Sequence, residues 1–107
     1  MFKYLGIISS SIIAGVTAKL LSSNGTIATG AGSYSVAVSA DGTSVYVANG
    51  SSNNISEYSR NTSTGALTAI GTIATGSYPA SVAVSADGTS VYVANYFSNN
   101  ISEYSRN

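Results

Sequence analysis

Residues 26–61 read TIATGAGSYSVAVSADGTSVYVANGSSNNISEYSRN, and residues 72–107 repeat them as TIATGSYPASVAVSADGTSVYVANYFSNNISEYSRN. The two stretches align without a gap at an offset of 46 and agree at 30 of 36 positions. Each is built from Val, Ile, Tyr, Thr and Ser with Gly at short intervals, which is strand and turn chemistry and excludes a helical repeat. Ser35–Ser39, Ser44–Ala48 and Ile55–Ser59 read as three strands, returning at Ser81–Ser85, Ser90–Ala94 and Ile101–Ser105. Asp41-Gly42 and Asp87-Gly88 mark hairpin turns, since Gly accepts the positive φ that a tight turn demands. Thr62-Ser63-Thr64-Gly65 turns into a fourth strand, Ala66–Ala74, and Lys19–Gly25 looks like a degraded copy of it.

A period of 46 is that of a propeller blade and is far longer than one coil of a parallel β-helix. The reading is therefore all-β, two four-stranded antiparallel repeats forming part of a β-propeller. A small two-sheet sandwich is the alternative, because two four-stranded sheets also suit that architecture. The first strand carries small residues, while later strands carry Tyr46, Tyr58, Leu67 and Ile70, as a wedge widening away from a crowded axis requires. Stacked repeats need about three or more units to cover their faces. Two blades thus call for a homo-oligomer or for further blades of a longer chain.

Residues 1–18 differ in character. Met1-Phe2-Lys3 supplies a positive start, Tyr4 through Val16 is mostly apolar, and Val16-Thr17-Ala18 offers small residues to a signal peptidase. The expectation is a signal peptide at 1–18, a repeat region at 19–107 and an exported protein. The apolar stretch is too short for a stable membrane span.

Composition removes several functional classes. The 107 residues include four Lys/Arg, four Asp/Glu and neither His nor Cys. Zero net charge without a basic cluster argues against binding nucleic acid. An imidazole base, a Cys nucleophile and the usual zinc site are all excluded. Asp41, Asp87, Glu57, Glu103, Arg60 and Arg106 form repeat-equivalent pairs. A group needed once per active site has no reason to be stamped into every blade. Asp41, Gly42, Asp87 and Gly88 are accordingly read as turn-structural, Glu57 and Arg60 as pairing with neighbours or facing solvent. No catalytic residue, metal ligand or cofactor is assigned.

The two units disagree at 31–34 against 77–80 and at 50–51 against 96–97. Both stretches are connections that leave the strands at the same end. Variation gathered at one end of a repeated scaffold is what a binding surface looks like, the alternative being loops that drift freely and aromatics that merely cover the blade edge. Tyr34, Tyr78, Pro79, Tyr96 and Phe97 are the candidate face, with a carbohydrate or a protein loop as the ligand.

The runs Val36-Ala37-Val38-Ser39-Ala40-Asp41-Gly42 and Val45-Tyr46-Val47-Ala48-Asn49, with their copies at 82–88 and 91–95, resemble the YVTN repeat family of β-propellers. Ile55-Ser56-Glu57-Tyr58 and Thr64-Gly65-Ala66-Leu67-Thr68 are similar to the propeller lactonases of the 6-phosphogluconolactonase type. The resemblance covers residues 19–107 and implies seven-bladed rings, often exported or on the cell surface. The first functional expectation is a non-catalytic scaffold or binding module. The alternatives are a truncated lactonase-like hydrolase, with its acid/base residues in other blades, and a self-assembling surface or fibre protein.

Overall fold

The computed structural model describes residues 20–107 in full and the backbone of two short strands before them, β1 (Ile7–Ile13) and β2 (Val16–Thr17). These two pair antiparallel, with Ile13 opposite Val16. The expected signal segment at 1–18 otherwise lies outside the described residues.

The first repeat forms a four-stranded antiparallel meander: β3 (Ser33–Val38), β4 (Ser44–Asn49), β5 (Asn54–Arg60) and β6 (Leu67–Ala74). The second forms β7 (Pro79–Val84), β8 (Ser90–Asn95) and β9 (Asn100–Ser105) in the same order. The all-β, partial-propeller expectation holds, with one antiparallel sheet of four strands and one of three. Leu20–Gly25 forms no strand and is exposed.

The hairpins show why Ser-Ala-Asp-Gly-Thr-Ser turns the chain. Gly42 adopts φ +76°, and Asp41 Oδ1 accepts hydrogen bonds from Ser39 Oγ (2.6 Å), the Thr43 N–H (3.0 Å) and Thr43 Oγ1 (2.8 Å). Asp87 repeats this with Ser85 and Thr89. At the opposite end of the strands Asn49 Nδ2 donates to Asn54 Oδ1 and Ser56 Oγ, and Asn95 does the same to Asn100 and Ser102. Asn95 Oδ1 also accepts from the Gly76 N–H (3.1 Å), whereas Asn49 Oδ1 is buried without a partner among the described residues.

Register assigns each residue to a face. Val36, Val38, Val45, Val47 and Tyr58 share one face of the first blade, while Tyr46, Ala48, Ile55 and Glu57 share the other. The second face meets Val82, Val91 and Val93 of the next blade to form the main core. The sheets meet chiefly where β3 and β4 approach β7, so the blades stand side by side around their inner strands. This is a propeller arrangement rather than a face-to-face sandwich.

Two expectations follow. Ile55→Ala opens a cavity at the centre of the seam, at a side chain only 1% exposed, and costs about 2–5 kcal/mol in urea unfolding of the whole chain. Ser85, then the Thr89 N–H and hydroxyl, hold Asp87 down at about 2, and the equivalent bonds, Ser39 first, hold Asp41 well below the usual carboxylate range. An unfolded Asp binds its proton near about pH 4, so both turns keep their full contribution above that value and lose it as pH falls toward the folded values. The melting temperature should be level down to about pH 5 and fall steeply below about pH 4, with a shallower fall in the Asp41→Asn/Asp87→Asn variant.

Candidate functional site

The positions at which the repeats differ converge on one patch at the end of the strands opposite the Asp-Gly turns. Tyr34 enters it from a β-bulge: Ser33 pairs with Asn49 and Ser35 with Ala48, leaving Tyr34 as the extra residue. A bulge of this kind re-aims a side chain out of the strand's alternation. Tyr78 comes from the connection between β6 and β7, and Tyr96 and Phe97 from the loop between β8 and β9.

Tyr78 is the centre of the patch. Its ring centroid lies 5.3 Å from that of Tyr34, 4.9 Å from Phe97 and 6.5 Å from Tyr96, and Tyr96 and Phe97 are 5.0 Å apart. These are the separations of edge-on and tilted aromatic pairs. Tyr78 Oη donates to Tyr34 Oη at 2.7 Å, an arrangement that raises the Tyr78 pKa, since the protonated phenol is the donor. Tyr34, Tyr96 and Phe97 are exposed, whereas Pro79 is buried behind them at the start of β7 and contributes no free surface.

The backbone of Tyr78 has φ +60°, in the left-handed region that a bulky residue occupies at a cost. The equivalent residue in the first repeat is Gly32, at φ +64°. The fold therefore calls for a left-handed residue here, and the second repeat places tyrosine where glycine suffices. Three bonds hold the position: the Tyr78 N–H donates to Asn53 Oδ1 (2.8 Å), the Tyr78 carbonyl accepts from the Tyr96 N–H (2.9 Å), and the phenol reaches Tyr34. Gly50 completes the design from the first repeat. A Cβ there would stand 2.9 Å from Tyr34 Cδ2 and 3.2 Å from Tyr78 Cζ, so its lack of a side chain seats both rings.

The sequence singled out Tyr34, Tyr78, Tyr96 and Phe97, and the structure brings these four together. Asn53 and Gly50 were missed as their supports; the single available signal was that Gly50 is itself one of the differing positions.

The charged groups lie elsewhere. Asp41, Asp87, Arg60 and Arg106 gather at the hairpin end, a strand length of roughly 20 Å away. Arg106 bridges the blades, 3.1 Å from Asp41. A cleft of about 310 Å³ runs along the outer seam between Ile70 and Ile73 on one side and Tyr104–Asn107 on the other. Glu57 is the one carboxylate that lines it. Among the described residues no three His, Cys, Asp or Glu stand together as metal ligands, and no helix is long and apolar enough to cross a membrane.

Comparison with known proteins agrees with this architecture. No curated protein matches the chain. Among solved structures, it is similar to a candidate 6-phosphogluconolactonase from Bacteroides fragilis, with 25% identity and a TM-score of 0.68 over 70% of this chain and 21% of that one. A second candidate 6-phosphogluconolactonase, from Bacteroides uniformis, gives 29% identity and a TM-score of 0.67 over 70% of this chain and 22% of that one. The chain thus spans about a fifth of the length of either structure. The profile of the family described as "Lactonase, 7-bladed beta-propeller" matches residues 14–107, which contain every blade strand described above, and the chain belongs to that family.

Proposed function

We propose that this lactonase-like propeller segment is an exported, non-catalytic binding module whose aromatic end grips a carbohydrate. The observation that carries the reading is Tyr78, kept in a left-handed conformation at the middle of four aromatic rings. Backbone strain that the scaffold does not need, at a residue whose repeat counterpart is glycine, is a mark of use rather than of folding. Aromatic faces stack on the apolar faces of pyranose rings, and tyrosine hydroxyls such as those of Tyr34 and Tyr96 supply hydrogen bonds to a sugar's rim. Export rests on the charge and apolar pattern of residues 1–18. N-terminal sequencing of the protein recovered outside the cytoplasm should begin at Lys19.

The test separates backbone from ring. Tyr78→Gly restores the residue favoured at this φ, so it should be more stable than Tyr78→Ala by about 1 kcal/mol in urea unfolding. Calorimetric titration with cello-, xylo- and chito-hexaose should find binding to at least one by the unaltered chain. Removing one ring, in Tyr78→Gly, Tyr34→Ala or Phe97→Ala, should weaken that binding roughly 2- to 10-fold. Equal affinity across these variants would refute the aromatic site.

A second reading, favoured by the family match and the two Bacteroides structures, makes the chain part of a lactone hydrolase. The described acidic and basic groups are tied into turns and the blade seam, or line a blade face, away from the aromatic end. On this geometry the chain alone should not release acid from 6-phosphogluconolactone in a pH-stat above the uncatalysed rate. Turnover would favour the hydrolase.

A further inference from the structure

The seam inside the chain is a joint between two different faces, and each repeat carries both of them. At its hairpin end Arg106 donates through Nη1 to the Gly88 carbonyl of its own blade (2.8 Å). It then reaches across through Nη2 to both carboxylate oxygens of Asp41 (3.1 Å each), Thr43 Oγ1 (2.8 Å) and Ser44 Oγ (3.1 Å), and through Nε to Tyr46 Oη (3.1 Å). Every one of these groups has a repeat counterpart 46 residues away: Arg60 for Arg106, and Asp87, Thr89, Ser90 and Tyr92 for the receiving set.

The counterparts lie on the two outward faces. On the first blade Arg60 already makes the same contact to its own turn, Nη1 to the Gly42 carbonyl at 3.0 Å, and has no carboxylate partner among the described residues. On the second blade Asp87 is held in the same turn and has no cation beside it among the described residues. Burial follows the same division. Tyr46 is 8% exposed and Tyr92 42%; Ile55 is 1% exposed and Ile101 62%; Val82 is 7% exposed and Val36 64%. Strand register is the same in both blades, since β4 pairs with β5 as β8 pairs with β9. One outward face thus presents a cation beside exposed valines, and the other presents the anion and hydroxyls that receive it beside exposed Tyr92 and Ile101.

We propose that a second copy of this chain docks head to tail on these faces, with Arg60 of one copy seated on Asp87, Thr89, Ser90 and Tyr92 of the next. The joint repeats the seam already present within the chain. Because the two faces differ, the contact is heterologous: each copy that docks leaves a free face for another, until the series closes on itself as a ring or runs on as a filament. The occupant is chosen by charge and shape together, as Arg60 and Asp87 are complementary and the apolar patches beside them copy a pair that packs within the chain.

The test uses the whole chain and two variants that each block one face. Arg60→Glu puts a like charge against Asp87, and Ile101→Lys puts a charge into the apolar part of the other face; Ile101 is exposed and Arg60 half-buried, and circular dichroism checks that both variants keep their strands. Light scattering after size exclusion should give the unaltered chain a mass of at least three times its 10.8 kDa, and each variant alone should be monomeric. Mixed in equal amounts, the variants have one compatible pair of faces left and should form a 1:1 dimer and nothing larger. A monomeric unaltered chain, a variant that still assembles alone, or a mixture that stays monomeric would each overturn the proposal.

Discussion

A four-stranded sheet in which both faces are apolar is held in water only by what stacks on it, and everything else in this protein follows from how that stacking is done. The chain has few charges to spare, with eight charged side chains in 107 residues, so apolar contact between blades carries the seam. Tyr46, Ala48 and Ile55 give one side of it and Val82, Val91 and Val93 the other. Arg106 adds direction. An exposed ion pair contributes little stability, but a guanidinium that must meet a carboxylate, two hydroxyls and a phenol fixes how far one blade slides along its neighbour.

That constraint explains where the repeats agree. The seam is made by one face of a unit against the opposite face of the next, so both faces must be present in every unit, together with the turn that carries Asp41 or Asp87. The hairpin turns and the second and third strands are accordingly identical between units, and the first strands differ only at their outer end, Ser33-Tyr34 against Pro79-Ala80. The end loops meet across the blades only through Tyr78, by its bonds to Asn53 and Tyr34, and lie outside the apolar seam. There the sequence changes from Gly32 to Tyr78 and from Gly50-Ser51 to Tyr96-Phe97 without touching the stacking residues. The stacking residues and the variable aromatic residues thus occupy different parts of the same blades.

Much of this was legible in the sequence, for identifiable reasons. Strands and turns follow from Val and Tyr runs bounded by Asp-Gly, and β3–β9 fall where those runs predict them, within about two residues. The aromatic patch was legible because two nearly identical units act as each other's control, so any difference stands out. The left-handed backbone of Tyr78 was not, since tyrosine itself gives no sign of it; only the glycine at its counterpart does. The Arg106–Asp41 bridge was invisible for a different reason. It joins residues 65 apart, and nothing in either turn tells that Arg106 reaches the neighbouring blade as well as its own. Residues 20–25, which read as a degraded copy of the fourth strand, form no strand, because residue pattern alone does not supply the neighbouring strand that a sheet edge requires.

The two units of one chain also separate what the fold requires from what Tyr78 adds to it. In both repeats the connection before the first blade strand must pass through a left-handed residue, because its carbonyl receives an N–H from the β4–β5 or β8–β9 loop: Gly32 from Gly50 at 2.7 Å, Tyr78 from Tyr96 at 2.9 Å. Glycine meets that requirement at no steric cost. Tyrosine meets it only under restraint, and the restraints come from the other repeat: Asn53 holds the Tyr78 N–H, Tyr34 its hydroxyl, and Gly50 leaves room for its ring. An accidental aromatic residue would have no reason to find all three supports waiting on the neighbouring blade. The patch is therefore a product of two blades acting together, and a blade by itself would not hold it.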